Sequence, residues 1–86
     1  MTREEILEHE DMLRQMYVEN KRALDEARRP ILPLKDLRRA AVKREESTAQ
    51  LDEQLAPLIR HYKEVREAGI RRILEYRRKY NYYNES

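Results

Sequence analysis

The 86-residue sequence has no cysteine, no tryptophan, no phenylalanine and a single glycine. Without cysteine there is no disulfide framework, no thiolate nucleophile and no thiolate-ligated zinc or iron–sulfur site. A reducing interior is the expected compartment, with the cytoplasm as the expected location. No run of about 18 apolar residues occurs, so no membrane-spanning helix and no membrane partner is expected. The opening Met1-Thr2-Arg3-Glu4-Glu5 is charged, unlike a secretion signal. The length suits one small domain over residues 1–86, too little chain to enclose a roomy substrate cavity.

What is abundant points to helix. Ala, Glu, Lys, Leu and Arg supply 49 of the 86 residues, a proportion typical of long helices and coiled coils. Leu, Ile and Val supply only 18, so the apolar stripe that such helices bury must be thin. The expected fold class is all-α.

Thr2 followed by Glu5 fits a capping box, in which hydroxyl and carboxylate each satisfy a free backbone N–H. From there Ile6, Leu13, Met16, Tyr17, Asn20, Leu24 and Ala27 fall on one helical face. Arg29-Pro30 is expected to end this helix, because a residue before proline is pushed out of the α region. Leu34, Leu37, Ala41, Arg44, Thr48, Leu51 and Leu55 form a second seam, alternating three and four apart. The short connection between them predicts antiparallel packing, with Leu24 near Leu37, Asn20 near Ala41 and Met16 near Arg44.

Pro57 leaves two architectures open. In one it opens a third helix, and helices over about 3–28, 34–55 and 57–81 make a three-helix up-down-up bundle, with a frayed tail at 82–86. In the other, residues 34–81 form one long coiled-coil-like helix kinked at Pro57 in an antiparallel hairpin, with a dimer to cover its exposed half. Ser47 with Gln50 marks a further candidate break by its capping-box spacing. Gly69 reads as an interior glycine that lets helices approach closely, at a propensity cost of about 1 kcal/mol.

Charge is arranged in blocks. Residues 1–27 carry four basic and eight acidic groups, and residues 28–44 carry seven basic groups against Asp36 alone. Residues 45–56 carry four acids and no base, and residues 57–86 carry eight bases and four acids. On an up-down-up bundle this would gather the basic blocks at one pole and the acidic blocks at the other. On a kinked hairpin the two basic clusters separate along a rod. Either arrangement offers a positive surface that the net charge of +2 conceals.

Arg outnumbers Lys 14 to 5, and Tyr76, Tyr80 and Tyr83 interleave with Arg77, Arg78 and Lys79 near the C-terminus. Tyr and Arg are the residues most enriched among interface hot spots. The candidate partner-binding residues are therefore Arg72, Tyr76, Arg77, Arg78, Tyr80 and Tyr83, with Arg38 and Arg39 as secondary contacts. The expected function is a non-enzymatic helical protein–protein interaction module: an adaptor, an inhibitor or an assembly subunit. Its partner would be a protein with an acidic or mixed surface, or a second copy of the chain. The alternative is nucleic-acid binding by the same Arg and Tyr side chains, through phosphate contacts and base stacking.

Catalytic, cofactor and metal readings find little to stand on. His9 and His61 are the only histidines, and neither has a Glu three residues before it as a di-iron helix motif requires. His9-Glu10-Asp11-Met12-Leu13 lacks the second histidine of a zinc-peptidase helix. The few hydroxyls stand near no evident base in sequence. No catalytic residue, cofactor or metal site is expected.

Overall fold

A computed structural model describes residues 2–79 as three helices with no strand among them. The helices are α1 (Arg3–Arg28), α2 (Ile31–Lys43) and α3 (Ala49–Lys79). Tyr80, Tyr83 and the expected tail lie outside the described residues.

Helix α1 starts where the capping residues place it. Thr2 has extended backbone angles and its Oγ1 accepts from the Glu5 N–H at 3.2 Å, with Glu4 and Glu5 complementing the helix dipole. Its end is also where Pro30 suggested, but the chain does not reverse there. Arg29 (φ −52°, ψ −48°) and Pro30 (φ −72°, ψ −16°) both keep right-handed helical angles, so α2 resumes at Ile31 with little change of direction. Pro33 is tolerated in the first turn of α2, where its missing N–H would have had no intrahelical acceptor.

The reversal comes instead at Arg44–Thr48, near the Ser47–Gln50 signal. The Glu46 N–H donates to the Ala41 carbonyl (2.9 Å) and the Glu45 N–H to the Val42 carbonyl (3.1 Å), the paired bonds of a Schellman motif. Its left-handed position is held by Glu45 at φ +58°, not by the usual glycine. Ser47 Oγ then accepts from the Ala49 N–H, and the Thr48 carbonyl accepts from the Asp52 N–H to begin α3.

The expected boundaries at 34–55 and 57–81 are thereby corrected. Pro57 neither opens nor closes a helix; it is exposed within α3, which tolerates one lost backbone bond. The architecture is a helical hairpin: α1 and α2 run end to end as one arm and α3 returns alongside both. Forty-one residues of helix at 1.5 Å each come to about 60 Å, which accounts for a rod of 62 × 16 × 16 Å. The expected α1–α2 pairing is absent, and Asn20 packs against Gly69 of α3 instead of near Ala41.

The core is a thin line along the rod: Met16 and Ala27 from α1, Ile31 and Ala41 from α2, Leu55 and Ile73 from α3. Three seam positions fail to reach it, Arg44 among them at the turn after α2. Tyr17 and Leu37 are 46% and 56% exposed, because a two-layer hairpin buries one narrow stripe per helix and these residues stand at its margin. The radius of gyration is 19.3 Å, against about 12 Å for a compact chain of this length. Seven further large apolar side chains, Leu7, Met12, Val18, Leu32, Val42, Ile70 and Leu74, are also exposed.

Candidate functional site

The hairpin separates the expected site residues into two groups. At the open end, α3 lies beside the first half of α1. Tyr76 is half-buried and its hydroxyl shares a 2.7 Å hydrogen bond with His9 Nδ1, the two rings meeting edge to face at 5.9 Å. Arg72 reaches Glu19 at 3.4 Å. Both side chains therefore tie α3 to α1. Arg77 and Arg78 are exposed on the last described turn. This end also carries Glu4, Glu5, Glu8, Glu10 and Asp11 on α1, so acids and bases share it. The two-pole charge layout is overturned, because it depended on α1 and α2 lying antiparallel. The separation of basic clusters along a rod is what the hairpin produces.

Arg38 and Arg39 lie at the other end, on α2. Arg38 Nε donates to Asp52 Oδ1 at 2.7 Å, across to α3, and the Thr48 hydroxyl donates to Asp52 Oδ2 at 2.9 Å. These two donors, the arginine foremost, hold the Asp52 carboxyl below its ordinary range. Arg39 stands 4.0 Å from Asp36 on its own helix, both well exposed, a spacing that contributes little to stability.

Beside the Arg38–Asp52 pair a groove follows the α2–α3 seam. It consists of two depressions of about 590 and 620 Å³ that share Lys35, Arg39 and Ile59 and are therefore continuous. Leu55, Ala56, Ile59 and Ile31 make an apolar floor, and Val42 and Leu32 extend it outward. Arg28, Lys35, Lys63 and Arg66 stand along the rim with Arg38 and Arg39. Asp36 and Asp52 are the acids among the lining residues, and each has an arginine partner. Lys35, Lys63 and Arg66 have no acidic partner within ion-pair distance among the described residues. The groove is thus an apolar strip edged by cations, of which Arg38 and Arg39 are paired and Lys35, Lys63 and Arg66 are not paired among the described residues.

Sequence reasoning found Arg38 and Arg39 but missed Lys35, Lys63 and Arg66. A signal was present: Ile59, Lys63 and Arg66 stand at i, i+4 and i+7 and so share a face. Its meaning depended on which helix lay opposite, and that in turn depended on where the chain reverses.

Among the described residues no group of three or more His, Asp or Glu side chains is placed to hold a metal ion. No described helix is long and apolar enough to cross a membrane. No protein-family model, curated protein or solved structure matches the chain.

Proposed function

We propose that this chain is a non-enzymatic protein-interaction module whose working surface is the basic, apolar-floored groove between α2 and α3. One observation carries the reading: an open apolar strip along which Lys35, Lys63 and Arg66 have no acidic partner within ion-pair distance among the described residues. Interface cores combine apolar floor with Arg-rich edges in this way. Arg77 and Arg78 offer a secondary contact at the far end of the rod. The reading assumes a reducing compartment such as the cytoplasm, which a chain without cysteine permits.

The test places a photo-crosslinking amino acid at Val42, in the groove, and in a second protein at Val18, which is equally exposed at 54% and lies outside it. The expected result is a discrete protein adduct from Val42 in native extract, lost when Lys35 and Arg66 are changed to Glu, and no such adduct from Val18. Equal products from both positions, or none from either, contradict the proposal.

The unpaired cations also favour a second reading, phosphate binding to nucleic acid. It requires affinity to fall steeply with salt through counterion release. Fluorescence anisotropy with duplex DNA and single-stranded RNA across a salt titration decides it: a log–log slope of several units supports nucleic acid, and absence of binding at low salt removes it.

A further inference from the structure

We infer that the α2–α3 groove receives an acidic amphipathic helix. The inference rests on the interaction-module reading and names the occupant by its chemistry.

The floor argues for an apolar stripe on the ligand. Ile31 and Leu55 are 4% and 3% exposed and fix the base of the groove, while Val42 and Leu32 remain about half exposed among the described residues. The rim argues for acids on either side of that stripe. Lys35 projects from α2 and Lys63 and Arg66 from α3, so cations flank the floor from both walls. A helix with apolar residues at i, i+4 and i+7 and Glu or Asp on its flanks matches both features. The groove also has the length for it. From Ile31 to Val42 it follows most of α2, about 17 Å, or three turns of a docked helix.

The same features disfavour other occupants. Duplex nucleic acid would satisfy the cations and leave Leu32, Val42 and Ile59 facing water. A single strand would want a row of aromatic faces, and among the described residues Tyr62, half-buried, is the one aromatic ring in the lining. A second copy docked groove to groove about a twofold axis would set Lys35, Lys63 and Arg66 against their own like charges.

The experiment uses the full chain and two fluorescein-labelled peptides of about five helical turns. Both carry the same leucine stripe; one has Glu along its flanks and the other Lys. The wild-type chain should bind the Glu peptide at least about tenfold more tightly than the Lys peptide. The K35E/R66E double variant should reverse that order while keeping the helical circular-dichroism signal, since both side chains are exposed. Equal affinity for the two peptides, no binding of the Glu peptide, or its displacement by duplex DNA would each overturn the inference. So would a Val42 crosslink to a second copy of the chain. A charge-dependent Val42 adduct together with a silent Glu peptide would overturn this inference and leave the interaction-module reading standing. Loss of the Val42 adduct would remove that reading itself.

Discussion

Gly69 of α3 lies against the Asn20 side chain of α1, and replacing it with alanine tests the packing at that contact. An alanine Cβ would stand 2.5 Å from Asn20 Cγ and 3.0 Å from Nδ2, and would overlap Oδ1. Carbon–carbon contacts settle at about 3.5–4.0 Å, so the carboxamide must move by roughly 1 Å or the helices must part. Overpacking of this kind costs about 1–3 kcal/mol, while alanine in a helix interior gains about 1 kcal/mol over glycine. The net expectation for Gly69→Ala is a loss of up to about 2 kcal/mol. Removing the obstacle reverses the sign. In an Asn20→Ala background the same Gly69→Ala change should stabilise by about 1 kcal/mol, giving a coupling of about 1–3 kcal/mol in the double-mutant cycle. Urea denaturation followed by far-UV circular dichroism reads all four proteins. If Gly69→Ala has the same effect in both backgrounds, the close approach of Asn20 to Gly69 is refuted.

Three further outcomes follow from the backbone and the ion pair. Glu45→Gly should stabilise by about 0.5–1 kcal/mol, because the left-handed angle costs a residue with a Cβ about 1–2 kcal/mol and glycine's greater unfolded entropy offsets part of the gain; unchanged or reduced stability in urea would contradict the Schellman turn. Pro57→Ala should stabilise by about 1–3 kcal/mol by restoring an interior helical bond, whereas a chain that turned at Pro57 would gain nothing. The Asp52 carboxyl is held below its ordinary range, so its stabilising contribution is present above the unfolded value of about 3.9 and is lost as pH falls through the folded one. Asp52→Asn should therefore be less stable than wild type at neutral pH and should approach it below about pH 4, as read by denaturation at each pH.

The helical class was legible because composition and period agree along the whole chain. The first cap was legible because the Thr2 hydroxyl accepts from the Glu5 backbone N–H, and a side-chain acceptor leaves a trace in residue identity. Gly69 was read correctly as a close approach, although against Asn20 of α1 from a different register than the one expected. The reversal at Arg44–Thr48 was the main loss. It is closed by backbone bonds around a left-handed Glu45, where no glycine or asparagine advertises the conformation. The prolines misled in both directions. Pro30 and Pro57 are breakers by propensity, yet Pro30 falls between two nearly collinear helices and Pro57 within a helix supported along its length by tertiary packing.

The site inherited that error. Arg38 and Arg39 were visible as a basic cluster, but a groove belongs to two helices. Its second wall, Lys63 and Arg66, could be named only once α3 was known to start at Ala49 and pass α2 first. Tyr76 and Arg72 illustrate the converse. Their residue types suit a binding surface; in the fold Tyr76 is half-buried against His9, and Arg72 stays exposed while pairing with Glu19.

The hairpin requires α2 to continue the direction of α1, and one distance decides that. The chain has no cysteine, so spin labels on cysteines introduced at the exposed Gln15 and Lys43 are the sole probes. Twenty-eight residues of end-to-end helix at about 1.5 Å per residue place them about 40 Å apart. Antiparallel α1 and α2, with axes 8–10 Å apart, would bring them within about 20 Å. A double electron–electron resonance distance near 40 Å is the predicted result, and one below about 20 Å would dismantle the hairpin.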